Sequence, residues 1–168
     1  MATTPPAGLV IAPASERDVP LLLELIRSLA EYERLADQVM ATEERLRASL
    51  FGERPAAEVL IARVDGTGVG FAVFFHNYST FLGRAGLHLE DLFVRPAWRS
   101  RGIGQALLRS VARVAVERDC GRMEWSVLDW NAPAIRVYQA TGAAPMDEWT
   151  VYRLTGDALV RFASPVAG

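Results

Sequence analysis

The sequence predicts an α/β (α+β) fold in which a mixed central sheet carries helices on both faces. Three observations support this prediction. Segments with strand-like and helix-like apolar periodicity follow one another in the order β-α-α-β-β-β-α-β-α-β. Residues 65–68, Asp-Gly-Thr-Gly, join two apolar strands and indicate an antiparallel hairpin. Residues 89–110 indicate a strand, a turn and a helix in direct succession.

The N-terminal half places two helices between its first two strands. Ser15 and Asp18 have the spacing of a capping box, and Pro20 lies in the first helical turn, where its missing N–H costs nothing. The predicted elements of this half are a strand over 9–12, a helix that ends near Arg34, a helix from Thr42 to Leu50, and strands over 59–64, 69–75 and 87–94.

The C-terminal half alternates helices and strands. Apolar residues at 103, 107, 111 and 114 form one helical face. Asn131 is a typical N-cap, and Pro133 and Gly142 mark the first turn and the end of the helix that it begins. The predicted elements are a helix from Ile103 to about Asp119, a strand over 123–128, a helix from Asn131 to Gly142, a strand over 149–154 and a short helix after Thr155.

Composition indicates one globular domain, expected over 9–164 after a flexible N-terminus over 1–8. The chain has 168 residues, 51% of them hydrophobic, and a net charge of −2. This balance gives no electrostatic footprint for nucleic acid or an anionic membrane, so neither is an expected partner. The single cysteine, Cys120, excludes an internal disulfide, and no signal peptide or membrane span is evident, which favours a cytoplasmic protein. His76 and His88 lie on separate predicted strands, and no metal site is expected.

The turn at 99–104, Arg-Ser-Arg-Gly-Ile-Gly, has the features of a phosphate-binding site. A glycine-containing turn that opens a helix lets backbone N–H groups converge on an anion, and Arg99 and Arg101 add positive charge. No lysine follows as the Walker pattern requires, and Leu107 stands where the dinucleotide fingerprint requires a small residue.

The spacing Arg-x-x-Gly-x-Gly, at Arg99, Gly102 and Gly104, resembles the acetyl-CoA pyrophosphate loop of the GCN5-related N-acetyltransferase (GNAT) superfamily. The order of elements matches that acyl-CoA N-acyltransferase fold over nearly the whole chain. The resemblance implies acetyl-CoA as cofactor, and a bulged strand before the loop whose amides face the thioester. It assigns cofactor binding to Leu92, Phe93, Val94, Arg99, Ser100, Arg101, Gly102, Ile103, Gly104, Gln105, Asn131, Ala134 and Tyr138.

Acyl transfer to an amine needs a base for the amine, charge stabilisation at the thioester oxygen and an acid for the thiolate. Glu90 and Asp91 are neighbours on one strand, so at most one of them faces the site directly. For Asp91, a functional carboxylate and a capping or salt-bridging carboxylate remain equal alternatives. Tyr138 lies on the same helix side as Asn131 and can donate a proton, although a tyrosine at such a position is often a core residue.

Further motifs resemble the diamine acetyltransferases, the spermidine/spermine N1-acetyltransferase group. They are Leu-Ala-Glu-Tyr-Glu at 29–33, Gln-Val at 38–39, Tyr-Ser-Thr-Phe at 78–81, Leu-Glu-Asp-Leu-Phe-Val at 89–94 and Leu-Asp-Trp-Asn at 128–131. The motifs at 78–81 and 128–131 depart from the polyamine-specific members and resemble the thialysine N-ε-acetyltransferase branch. The resemblance implies that Glu90 acts as base through an ordered water and that Tyr138 is the general acid. It assigns substrate contacts to Tyr32, Glu33, Glu90, Asp91, Asp129, Trp130, Trp149 and one of the two neighbours Asp147 and Glu148.

The expected function is therefore that of an acetyl-CoA-dependent N-acetyltransferase acting on a primary amine of a small molecule, either thialysine-like or a polyamine or diamine. The alternatives are a protein lysine or N-terminal acetyltransferase and a non-catalytic acyl-CoA-binding sensor. The resemblance, together with the apolar and aromatic residues of 149–154, also implies a homodimer.

Overall fold

A computed structural model describes residues 4–164. Residues 1–3 of the expected flexible N-terminus and residues 165–168 lie outside the described part. The chain forms two compact units that divide between Leu128 and Asp129. Each unit is described by itself.

The first unit contains a five-stranded sheet in the order β1-β2-β3-β4-β5. Strands β1 to β4 pair antiparallel, and β5 joins β4 in parallel, so the predicted mixed sheet is confirmed. The parallel pair requires a crossover, which a helix supplies. The strands are β1 (Leu9–Pro13), β2 (Glu58–Val64), β3 (Thr67–Ser79), β4 (Arg84–Val94) and β5 (Met123–Trp125).

Helices of the first unit lie on both faces of the sheet. They are α1 (Val19–Glu33), α2 (Glu43–Phe51) and α3 (Ile103–Glu117). One face carries the core cluster of α1 side chains with Val59, Ile61, Phe71 and Phe93. On the opposite face α3 buries the side chains of Ile103, Leu107 and Val111. We call these the α1 face and the α3 face.

Local signals set the helix boundaries of this unit. The Thr42 hydroxyl accepts a hydrogen bond of 3.2 Å from the Arg45 amide, which begins α2 as predicted. Asp18 accepts from the Ser15 amide at 2.8 Å, one half of the expected capping box. Arg34 ends α1 in the left-handed region, with a φ of 63°.

The second unit contains α4 (Ala132–Ala140) and α5 (Gly156–Ala163). The predicted strand over 149–154 was wrong, because these residues form no strand in the structure. A strand exists only where a neighbouring strand completes its hydrogen bonds, and β-favouring composition supplies no partner. The strand predicted over 123–128 likewise ends at Trp125, where its pairing with β4 stops. No helix in residues 4–164 is long and apolar enough to cross a membrane.

Candidate active site at the open edge of strand β4

The turn that precedes α3 leads into a helix whose first backbone N–H groups have no intrahelical partner. Ser100 and Gly102 are both in the left-handed region, with φ values of 59° and 74°. The first intrahelical bond runs from the Ala106 amide to the Gly102 carbonyl at 3.0 Å, so the amides of Ile103, Gly104 and Gln105 have no intrahelical acceptor. Gly102, the N-cap, has no side chain that could accept from them. Amides in this arrangement at a helix N-terminus can bind an anion.

Strand β4 has an edge next to this turn with which no strand in residues 4–164 pairs, and we call it the free edge. Its parallel register with β5 ends at the pair Leu89 and Trp125, whereas its pairing with β3 continues to the end of β4. The Arg95 amide donates to a β3 carbonyl at 2.8 Å. Because successive residues point their backbone groups to opposite sides of a strand, the N–H groups of Leu92 and Val94 point away from β3. They therefore lie along an edge that β5 does not cover.

A β-bulge precedes this edge. Val73 of β3 pairs with Asp91 and Phe74 pairs with Leu89, so Glu90 is the extra residue. The bulge thus lies before Leu92, Phe93 and Val94, the residues for which the resemblance implied it. The early end of β5 leaves the outward amides of Leu92 and Val94 without a strand beside them. Phe93 is 3% exposed and packs in the core with α1, and its amide points toward β3.

Two carboxyl groups with raised pKa values come together on the α1 face. Asp91 pairs with Val73, which packs against the core on that face. Burial, and to a smaller extent the negative charges of Glu90 and Glu33, together raise the pKa of Asp91 to about 6. Burial also raises the pKa of Glu33, the last residue of α1. Among residues 4–128 the Asp91 carboxylate forms no ion pair, so its salt-bridging alternative finds no support.

The raised pKa of Asp91 predicts a pH-dependent gain of stability in Asp91→Asn. Between the unfolded pKa of 3.8 and the folded pKa of about 6, the folded protein holds more protons than the unfolded chain. Wild-type stability therefore falls as pH rises through this window and stays lowered above it. We expect Asp91→Asn to raise the free energy of unfolding by about 2 kcal/mol at pH 8 and by almost nothing near pH 3.5.

Urea unfolding of both proteins at the two pH values measures this difference. Glu90→Gln is the matched control, since the Glu90 side chain is 57% exposed and its removal should change stability much less. If Asp91→Asn raised the free energy of unfolding equally at both pH values, or did not raise it at pH 8, the burial of an ionised carboxylate at Asp91 would be contradicted.

The two arginines of the turn point in different directions. The Arg99 guanidinium carbon lies 4.1 Å from the Tyr32 ring centroid and 5.5 Å from that of Phe93. Its Nε donates to the Val94 carbonyl at 2.9 Å. The Arg101 guanidinium carbon lies 5.0 Å from the Trp98 ring centroid. Arg99 is thus brought to the α1 face beside Tyr32, a predicted substrate contact.

His88 lies next to these carboxyl groups, although no sequence motif indicated it as a site residue. Its Nε2 lies 3.6 Å from Oε2 of Glu90, and its ring centroid lies 5.0 Å from that of Phe75. The alternation of side chains along a strand could have indicated His88, because it lies two residues before Glu90 and such residues share a face. His88 lies beside the Glu90 carboxylate at the bulge.

The remaining predicted site residues belong to the second unit. The Asn131 side chain accepts from the Ala134 amide at 3.4 Å, which confirms the predicted cap of α4. Tyr138 follows one turn after Ala134, and its carbonyl accepts from the Thr141 hydroxyl at 2.6 Å. Of the predicted substrate contacts, Asp129 and Trp130 precede α4, and Asp147, Glu148 and Trp149 lie in the segment between α4 and α5.

Comparison with protein families gives one match over most of the chain. The model described as the acetyltransferase (GNAT) family matches residues 23–143. Thialysine N-ε-acetyltransferase of Bos taurus is 41% identical, over 94% of this chain and 98% of that protein. L-Ornithine N5-acetyltransferase of Arabidopsis thaliana is 34% identical, over 87% of this chain and 84% of that protein.

Solved structures share the fold. An integron cassette protein from the mobile metagenome of V. cholerae superposes with a TM-score of 0.80 at 24% identity, over 95% of this chain and 100% of that one. Ribosomal-protein-alanine N-acetyltransferase from Brucella melitensis has a TM-score of 0.70 at 25% identity, over 88% of this chain and 99% of that one.

Proposed function

This chain belongs to the acetyltransferase (GNAT) family and is an N-acetyltransferase, and from that premise we propose that it transfers the acetyl group of acetyl-CoA to a primary amine of a small, thialysine-like or diamine substrate. The observation that carries the proposal is the carboxyl cluster of Glu33, Glu90 and Asp91 beside the free edge of β4. An ammonium group is attracted to such a cluster, and an amine is the nucleophile that acetyl transfer requires.

The turn before α3 would hold the cofactor. The amides of Ile103, Gly104 and Gln105 suit a pyrophosphate, and the helix dipole adds favourable potential. Arg101 contributes positive charge on the Trp98 side of the turn. Bound there, acetyl-CoA would supply the activated acetyl group.

The edge of β4 would stabilise the charge that develops on the acyl oxygen. The outward N–H groups of Leu92 and Val94 are fixed by the register with β3, so they need no reorganisation when charge develops. Phe93 between them is anchored in the core and keeps the edge rigid.

The carboxyl groups would bind the ammonium ion and remove its proton. Asp91, with its pKa raised to about 6, is a stronger base than an ordinary aspartate and still largely ionised at neutral pH. Glu90 projects from the bulge and is 57% exposed, which leaves room for the ordered water through which we propose that it acts. Tyr138 would donate a proton to the departing thiolate.

The test is CoA release from acetyl-CoA in the presence of thialysine, ornithine, lysine, spermidine, 1,4-diaminobutane or an N-terminal peptide. We expect kcat/KM to be highest for one of the small amines and at least 100-fold lower for the peptide. Highest activity on the peptide would establish the protein-acetylating alternative. Binding of acetyl-CoA without turnover of any amine would establish the sensor.

We further propose that both units form a single N-acetyltransferase domain over 9–164. The support is the family match, which continues from residue 23 to residue 143 across the division at Leu128. A lone cysteine, Cys120, suits a reducing compartment, so we propose a cytoplasmic location.

We also propose a homodimer. The segment 149–154 contains Trp149, Val151, Tyr152 and Leu154 but forms no strand in the structure, and a partner chain could complete its backbone hydrogen bonds. Multi-angle light scattering at micromolar concentration is expected to give about twice the chain mass of 18.4 kDa. A mass of one chain at that concentration would contradict the proposal.

A further inference from the structure

His88 is held next to the bulge of β4, on the α1 face of the sheet. It pairs with Phe75 of β3, and Phe75 shares a face with Val73 of the α1-face core, because residues two apart on a strand point the same way. The His88 ring centroid lies 5.0 Å from that of Phe75, with 36° between the ring planes. The His88 side chain is 27% exposed, so packing against this ring restricts its rotation.

The bulge brings the Glu90 carboxylate to the same place. In a regular strand Glu90 and Asp91 would point to opposite faces, but the extra residue of a bulge re-aims a side chain. Nε2 of His88 lies 3.6 Å from Oε2 of Glu90, which is the distance of an ion pair and slightly more than that of a hydrogen bond. The terminal torsion of a glutamate is broad, so a small rotation of the carboxylate closes this difference.

Glu124 does not compete with Glu90 for the His88 imidazole. It lies next to His88 across the parallel register of β4 and β5, so its side chain is on the same face. Its carboxylate accepts from the Asn77 amide and from Nε of Arg122, each at 2.8 Å. Among residues 4–128, the His88 imidazole forms its ion pair with Glu90 and with no other carboxylate.

The contact with His88 opposes two effects that turn the Glu90 carboxylate away from the site. The Glu90 side chain is 57% exposed, and the negative charge of the neighbouring Asp91 repels it. An imidazole attracts a carboxylate in either protonation state, because the neutral ring can donate from Nε2 and the protonated ring adds a positive charge. A general base works only within hydrogen-bond reach of the proton, directly or through one water.

We propose that His88 is a positioning residue that keeps the Glu90 carboxylate turned toward the substrate amine. The inference rests on the function proposed above, in which Glu90 removes the proton of the ammonium group through a water. His88 itself contacts neither the amine nor acetyl-CoA, so its whole effect passes through Glu90. Because a partly exposed ion pair is a weak interaction, its loss should lower turnover far less than loss of the base.

A double-mutant cycle of His88 and Glu90 tests this dependence. His88→Phe keeps a ring against Phe75 and removes the nitrogen that faces Glu90. In the wild-type background we expect it to lower kcat about 5- to 10-fold, with the KM for acetyl-CoA within about twofold. In the Glu90→Gln background we expect it to change kcat by less than about twofold, since the carboxylate that His88 positions is already gone.

Two further variants serve as controls. His88→Gln removes the ring but places an N–H donor within reach of Glu90, and we expect it to recover most of the turnover lost in His88→Phe. His76→Phe removes the second histidine of the chain, which follows Phe75 on β3 and so points to the α3 face. We expect wild-type turnover in His76→Phe. Thermal unfolding of every variant verifies that the fold is retained.

Wild-type turnover in His88→Phe would overturn the inference. A loss by the same factor in both backgrounds would overturn it too, because a residue that only packs acts whether or not Glu90 is present. Both outcomes leave the acetyltransferase proposal standing, since each is measured as turnover of acetyl-CoA and an amine. Failure of the wild type to acetylate any amine would instead overturn the proposed function, and this inference with it.

Discussion

Tyr138→Phe is expected to lower turnover about 10²- to 10⁴-fold, the usual contribution of one positioned general acid. The substitution keeps the aromatic ring on α4 and removes only the phenolic hydroxyl. Without that proton donor, the thiolate must leave as an anion. The affinity for acetyl-CoA and for the amine should change little, because the lost interaction acts in the transition state. Single-turnover kinetics, with calorimetric binding of acetyl-CoA, measures both quantities.

Comparing Glu90→Gln with Tyr138→Phe in the same assay distinguishes the proposed base from the proposed acid. A protonated amine must lose its proton in the site at neutral pH, whereas at high pH the free amine is already abundant. Raising the pH should therefore partly restore turnover in Glu90→Gln and not in Tyr138→Phe. Wild-type turnover in both variants from neutral to alkaline pH would contradict the proposed acid and base.

The second large effect is expected from Gly104→Glu, which should abolish acetyl-CoA binding while the fold is retained. Gly104 lies in the first turn of α3, where the N–H groups of the anion site converge. A carboxylate there opposes the pyrophosphate by charge and occupies its approach. Calorimetry should show no binding at concentrations that saturate the wild type, and circular dichroism should be unchanged.

Gly104→Ala is the matched control for this substitution. A Cβ at Gly104 would meet only the side chains of Leu92 and Val94, each at the ordinary contact distance of 3.8 Å. Gly104 does not have the positive φ of Gly102, so alanine causes no backbone strain there. We expect alanine to change acetyl-CoA affinity by less than about fivefold. Similar affinities in the alanine and glutamate variants would show that the anion binds elsewhere.

The phosphate-binding turn could be predicted from sequence because its signals are local. Pro96 ends the strand and the glycines form the turn, and each acts within a few residues. The caps at Thr42 and Asn131 were predictable for the same reason.

Features that depend on pairing between distant segments could not be predicted from the residues themselves, and the bulge was expected only through the family resemblance. The bulge at Glu90 arises from the register between β3 and β4, and the open edge at Leu92 arises from where β5 stops. The segment 149–154 has the composition of a strand but forms no strand in the structure. Composition does not reveal whether a second strand is present to pair with it, so the prediction was wrong. The direction of Arg99 was hidden too, since its charge alone suggested the phosphate and only its contact with Tyr32 places it on the α1 face.

The most direct test of the central claim is the identity of the product formed by the wild-type enzyme from acetyl-CoA and ornithine. Mass spectrometry gives the number of acetyl groups added, and two-dimensional NMR gives the nitrogen that carries them. We expect one acetyl group, on the side-chain nitrogen, with one CoA released per product. Acetylation of the α-nitrogen would contradict the proposed binding of the side-chain ammonium group by the carboxyl cluster of Glu33, Glu90 and Asp91. No product from ornithine, thialysine or any diamine, with acetyl-CoA bound, would contradict the proposed function itself.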